Sequence, residues 1–290
     1  MRLFHYTTQG AAKKILRSRE LWFTRSDCFD DENEFTFFSE VAKTVVVELF
    51  DDGEDAPWVL EHYFGVSDKH SDDKEEEHVL YSPDILRLGG NRGFVLSASA
   101  SDDNRYLQDA YCDPGSIKVA LVIDADALVE CILSMERKEI VTVVEPVVYG
   151  KKDATEKIVG IITGEMNRYR DCLGVCDSGL CEMAAERVNY NLEYAFERAK
   201  PFVKCEKFRE EEEVRALLSL PDETKFEAQA KDGTTGIRVF CDGEKRWRAS
   251  LWMGEEWFSK VVVGICKLGG EGLQSVACDA SCLSALGDRK

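Results

Sequence analysis

No apolar run in this sequence approaches the roughly 18 to 20 residues that a bilayer-spanning helix needs. Stretches such as Val45–Phe50 and Val261–Ile265 stop far short of it, and Met1-Arg2-Leu3 opens no apolar signal segment. The expectation is a cytoplasmic protein with no membrane partner. Histidine is scarce: there are 4, and His62, His70 and His78 lie in one acidic tract, away from the cysteines. The 11 cysteines lack the two-residue knuckle of structural zinc sites, since the closest groupings are Cys172-x3-Cys176-x4-Cys181 and Cys278-x3-Cys282. No metal is expected. Odd in number and set in text such as Glu130-Cys131-Ile132-Leu133, the cysteines read as buried free thiols and not as a disulfide framework. Few Pro or Gly clusters break the chain and no repeat is visible, so residues 1–290 are expected to form one domain.

Against these absences stands a chain that can build a core. Of its 290 residues 44% are hydrophobic, 15 of them Phe. Its formal charge of −18 opposes unspecific binding to a phosphate backbone, which makes nucleic acid an unfavoured partner unless a local groove such as Arg246, Trp247, Arg248 and Trp252 overrides the field. The charge is uneven. Residues 51–78 carry 11 acidic side chains against Lys69 and Lys74, a balance of −9 and half of the total. This segment reads as a solvated acidic loop, with an interaction segment as the alternative.

Strand and helix periods alternate along the chain. Leu3–Tyr6 alternates as a strand, Ala11, Ala12, Ile15 and Leu16 share a helical face, and Glu20–Thr24 is a second strand ending in the polar turn 25–28. Helical spacing returns at Phe35, Phe38, Val41, Ala42, Val45 and Leu49. Strands follow at 93–99 and 117–123, with a helix between them over 102–111, and 141–149 is again β text. Residues 152–200 read as a helical insertion interrupted at 174–179. Six strand-like segments then follow at 202–208, 213–218, 226–230, 237–241, 246–252 and 260–266, with Asp232-Gly233 and Asp242-Gly243 as turns. The fold class is α+β with a mixed, largely antiparallel sheet.

Four groups could carry chemistry. His5 stands on the first strand between Phe4 and Tyr6, where it is either a hydrogen-bonded core residue or a ligand contact. Asp30-Asp31-Glu32-Asn33-Glu34 follows the second strand and reads either as helix-start carboxylates or as ligands; a divalent-metal hydrolase using Asp30, Asp31 and Glu34 is the remotest alternative. Ser97 and Ser99 share one face of a strand. Glu210–Glu213 are consecutive carboxylates, and on a strand Glu211, Glu213 and Arg215 would share a face, either as a solvated edge or as a site.

Taken in order, Leu3-Phe4-His5-Tyr6-Thr7, Ile15-Leu16, Leu21-Trp22-Phe23 and Phe29-Asp30-Asp31-Glu32-Asn33-Glu34 resemble the start of the bacterial domain of unknown function 2971 family. Phe94–Ser99, Tyr111–Gly115, Phe208-x-x-Glu211-x-Glu213-Val214-Arg215 and Val263-Gly264-Ile265 continue the resemblance over nearly the whole chain. Asp30, Glu32, Gln108, Val214 and Cys266 depart from that family's pattern. An Asp in place of Asn exchanges a donor–acceptor for a charged acceptor at that point.

The layout in turn resembles the ADP-ribosyltransferase superfamily: an early strand with His, a middle strand with hydroxyls and a late strand with Glu. This resemblance implies a split sheet and NAD as substrate, with cleavage of the nicotinamide glycosidic bond and transfer of ADP-ribose to an unknown acceptor, a protein or small molecule. It implies Glu213, then Glu211, as the carboxylate beside the ribose, and His5, within His5-Tyr6-Thr7, as the residue that fixes a ribose. Tyr6 or Tyr111 would pack on a base, Ser97 or Ser99 would support the nucleotide, and Arg25 or Arg215 would neutralise pyrophosphate or the acidic pair; Asp31 and Glu34 complete the implied set. The alternative is a non-catalytic nucleotide-binding or protein-interaction module of a bacterial defence, toxin or stress system.

Overall fold

The structure, a computed structural model, describes residues 1–29, 36–50, 91–111, 118–173, 191–192, 194–221, 226–268 and 274–277. Arg2–Thr8 (β1) ends where the Thr8 hydroxyl accepts the Ala11 amide at 3.2 Å, an N-cap that starts Gln9–Ser18 (α1). Arg19 closes this helix in left-handed backbone, φ 55°, with its N–H 2.7 Å from the Ile15 carbonyl. Glu20–Arg25 (β2) follows at once, with Leu21 and Phe23 buried, and a 3-10 turn at Ser26–Cys28 replaces the plain polar turn expected there.

The chain divides into two compact units, one of residues 1–29, 92–147 and 208–290, the other of residues 30–91 and 148–207. The expectation was one domain carrying a helical insertion. In the second unit, Thr36–Phe50 (α2), Val148–Tyr149 (β6), Gly150–Leu173 (α5), helical residues 194–199 and Val203–Lys204 (β7) share a core of their own. Ala154, Ile158 and Ile162 recur every fourth residue and so form one stripe of α5, packed with the α2 stripe of Phe38, Val41, Ala42 and Val45. Phe38 meets Phe196 edge to face at 6.0 Å. The anticipated helical text of 152–200 is therefore half of a distinct helical core.

The first unit holds the sheet. Its remaining elements are Asn91–Ser99 (β3), Arg105–Tyr111 (α3), Lys118–Asp124 (β4), Ala125–Leu133 (α4), Val141–Pro146 (β5), Glu213–Pro221 (β8), Glu227–Gln229 (β9), Thr235–Cys241 (β10), Trp247–Met253 (β11), Glu255–Val261 (α6), Val262–Leu268 (β12) and Gln274–Ala277 (β13). The strand order is β13-β12-β4-β1-β3-β2-β11-β10-β9, with β8 beside β3 and β5 beside β8. Every strand register resolved in this sheet is antiparallel. β4 is a continuous apolar run because both its faces are covered: Val119, Leu121 and Ile123 pack in the main core, while Ala120 and Val122 pack with Tyr6, Leu107 and Cys266.

Several elements differ from their sequence expectation. Residues 202–208, expected as a strand, are largely two 3-10 turns flanking the two-residue β7. α6 occupies the start of the segment expected as a strand at 260–266, and β12 begins only at Val262. α4 was not anticipated, although its signal stood in the sequence: Asp124 caps it by accepting from Asp126 and Ala127 amides at 3.0 Å each. Burial raises the Cys131 thiol of this helix to about 12.

Gly236 of β10 shows how closely this sheet is packed. A Cβ there would lie 2.5 Å from the Trp252 ring and 2.7 Å from the Ala228 carbonyl, whereas one at Gly243 would meet nothing within 4 Å. Gly236→Ala is expected to cost about 1–3 kcal/mol, the usual toll of overpacking, while Gly243→Ala leaves the urea midpoint nearly unchanged. Equal midpoints for the two variants would contradict this packing.

Candidate functional site at the fork of the sheet

A strand has two edges, and β3 has three partners. β8 lies along one of them: the Ser99 hydroxyl is 3.2 Å from the Glu212 carbonyl at one end, and a Cβ on Gly93 would sit 3.2 Å from Leu217 at the other. β1 and β2 therefore divide the opposite edge, β1 pairing through Phe4↔Ser99 and β2 through Thr24↔Val95 and Arg25↔Phe94. Between them the Ser97 carbonyl faces a gap that neither strand fills. The His5 imidazole fills it, Nδ1 lying 2.8 Å from that oxygen. Since a carbonyl can only accept, Nδ1 carries the proton, and in the neutral ring Nε2 is left as an acceptor. Burial lowers the His5 pKa, partly offset by the Ser97 carbonyl.

A second group of bonds anchors the approach to β8. Asn104, 5% exposed, donates from Nδ2 to the Glu210 carbonyl at 2.9 Å and the Glu211 carbonyl at 2.7 Å. Its Oδ1 accepts the Leu107 amide at 3.0 Å, capping α3, and its own N–H donates to the Tyr6 hydroxyl at 2.9 Å. The Tyr6 hydroxyl in turn donates to the Ser101 carbonyl at 2.7 Å, and the Ser99 hydroxyl accepts the Ser101 amide at 3.1 Å. Three consecutive carbonyls, 210 to 212, are thus held by Asn104 and Ser99.

This anchoring changes the expected ladder of carboxylates. Glu211 ends a 3-10 turn, Glu212 takes left-handed backbone at φ 43°, and the strand begins only at Glu213. Glu211 and Glu213 therefore do not share one strand face, whereas Glu213 and Arg215 do. Arg215 is 1% exposed and Glu213 4%, with Nε of the one 2.9 Å from Oε1 of the other. The guanidinium also lies over the Phe29 ring at 5.4 Å, and in register it faces Glu145 of β5. Val214, Ala216 and Leu218 occupy the opposite, apolar face of β8.

His5, Ser97, Ser99, Glu213 and Arg215 thus stand on β3 and its neighbours β1 and β8, with Glu211 in the turn before β8; His5 is in register with the core residue Leu121, whereas Glu213 and Arg215 lie on the face opposite Val214, Ala216 and Leu218. Tyr6 is close by but belongs to the framework: it is 4% exposed with its hydroxyl both donating and accepting, and burial raises its pKa to about 12. It has no open ring face for a base. Thr7 is half-buried opposite Val119 of β4. Arg25 turns to Asp27 at 2.5 Å and stacks over Trp247 at 5.2 Å, on the β2–β11 side of the fork. Asp31 and Glu34, the neighbouring Asp30 and Glu32, and the acidic loop 51–78 lie outside the described residues, as does the Tyr111 side chain. The residue missed from the sequence is Asn104, whose signal was only an Asn preceding a helix. Among the described residues no group of His, Cys, Asp and Glu has metal-binding geometry, and no helix is long and apolar enough to cross a membrane.

Two consequences are measurable. Because the His5 pKa is depressed in the folded chain, His5 is neutral in both states above about 6.5; below that value the unfolded chain takes up a proton that the folded one resists, and stability falls until the folded pKa is passed. His5→Asn, which keeps a donor near the Ser97 carbonyl and removes the titration, is expected to lose less stability than the wild type between pH 7 and pH 5. Identical slopes in urea unfolding would refute the assignment. Arg215→Met removes the charged partner at 2.9 Å from the buried Glu213 carboxylate and is expected to cost about 3–5 kcal/mol, with Glu213→Gln/Arg215→Met costing less than the sum of the single changes, read from urea midpoints.

In comparison with known proteins, no family model, no curated protein and no solved structure matches this chain.

Proposed function

We propose that the fork around β3 is a nucleotide site and that the protein cleaves the nicotinamide glycosidic bond of NAD, in the manner of an ADP-ribosyltransferase, passing ADP-ribose to an acceptor or to water. The observation that carries this reading is the split of the sheet at β3, with His5 bridging the gap and Glu213 on the adjacent strand β8. The order His, hydroxyl strand, Glu is the one that the resemblance implied, and here those segments share one strand neighbourhood.

The chemistry follows from the groups. A neutral His5 presents Nε2 as acceptor to a ribose hydroxyl, and its lowered pKa keeps it neutral at pH 7. When the C1′–N bond breaks, its electron pair leaves with nicotinamide and positive charge develops on the ribose. A carboxylate nearby stabilises that charge more than it stabilises the ground state. Glu213 fills this role, paired with Arg215 at 2.9 Å. The acceptor's nucleophile then bonds to C1′, and its proton passes to a carboxylate or to solvent.

One observation favours a second reading. Glu213 and Arg215 form a buried pair, and buried pairs also serve structure alone. The second reading is a nucleotide-binding module without turnover.

Nicotinamide release from NAD separates the two. Wild type is expected to release it, Glu213→Gln to lose about a hundredfold or more of the rate, and His5→Ala to raise KM with a smaller effect on kcat. Saturable NAD binding without release would establish the second reading, and absence of both binding and release would remove the nucleotide site. The thermal midpoint of each variant is measured alongside, since Glu213→Gln also alters the pair with Arg215.

A further inference from the structure

The geometry points to Asn104 as a positioning residue for Glu213. This inference rests on the proposed cleavage for its kinetic arm only. Asn104 lies far from the carboxylates in sequence and touches neither side chain in the bonds described above. It acts through backbone, because its Nδ2 holds the carbonyls of Glu210 and Glu211 at 2.9 and 2.7 Å, immediately before the left-handed Glu212 and the first strand residue, Glu213.

Two features make this more than packing. First, the turn 209–212 is closed on itself by the Glu212 N–H to the Arg209 carbonyl at 3.2 Å, so the carbonyls of 210 and 211 point away from it and are met by one amide group. A carboxamide is the only uncharged side chain that offers two donors from one atom and an acceptor from another. Asn104 uses both: Nδ2 on the turn, Oδ1 on the Leu107 amide. Second, the Asn104 N–H is tied to Tyr6 of β1, the neighbour of His5. One residue thereby links the strand that carries His5 to the turn that launches Glu213.

The substitution Asn104→Asp isolates the clamp. It keeps an oxygen to cap α3 and places a carboxylate against two carbonyls, so the turn is released while the helix start is retained. If Asn104 positions Glu213, kcat for nicotinamide release falls about tenfold to a hundredfold, while the NAD affinity of the folded fraction changes by less than about threefold, a change too small to reflect a lost binding contact. A KM that rises at constant kcat, or unaltered kinetics in a folded Asn104→Asp protein, overturns the inference. A second measurement needs no turnover. The urea midpoint shift caused by Glu213→Gln is compared in the wild-type and Asn104→Ala backgrounds. A positioned carboxylate loses part of its pairing with Arg215 once the clamp is gone, so the shift is smaller in the Asn104→Ala background; equal shifts in the two backgrounds overturn the inference. Should wild type release no nicotinamide, the proposed function fails alone, and the cycle still decides whether the clamp positions Glu213.

Discussion

β3 offers two edges to three strands, and most of what is distinctive in the first unit follows from how this is resolved. β8 takes one edge, while β1 and β2 share the other and must part between Val95 and Ser99. Parting leaves backbone polar groups without a ladder partner in a half-buried place, and an unmet buried carbonyl is costly. The molecule answers with side chains. His5 takes the Ser97 carbonyl, and on the other edge of β3 Asn104 and Ser99 likewise meet three carbonyls of the turn that enters β8.

The same accounting explains why polar residues collect here while the rest of the sheet is apolar. Around the fork the sheet faces carry Leu3, Phe23, Phe94, Leu121 and Leu251 in one continuous core. Each such side chain is worth about 1.5–3 kcal/mol on burial, which lets the fold carry a buried ion pair whose net contribution to stability is small. Glu213 and Arg215 are thus polar residues held on an apolar scaffold, a common circumstance for groups with perturbed chemistry.

Much of the scaffold was legible in residue patterns. β1, α1 and β2 have clean periods and a Thr cap, and the apolar run of β4 marked a doubly covered strand. What misled was local text under tertiary control. Residues 202–208 carry β-like side chains yet turn largely as 3-10 helices, and although β8 starts at Glu213 as expected, the shared face of Glu211 and Glu213 fails because alternation assumes extended backbone and Glu212 is left-handed. Asn104 could not be singled out, since an Asn before a helix signals a cap and says nothing of two carbonyls a hundred residues away.

The sequence by itself determined which residues are strand or helix over most of the first unit, that the class is α+β, and that His5, Ser97, Ser99 and Glu213 stand on strands, because these depend on period and propensity within a few residues. Only the tertiary structure decided that the sheet forks at β3, that the helical text of 148–207 builds a core of its own with α2, and that Tyr6 is framework while His5 faces the gap. Those outcomes depend on which strand edges meet and which carbonyls are left over, and that is settled by contacts between residues distant along the chain.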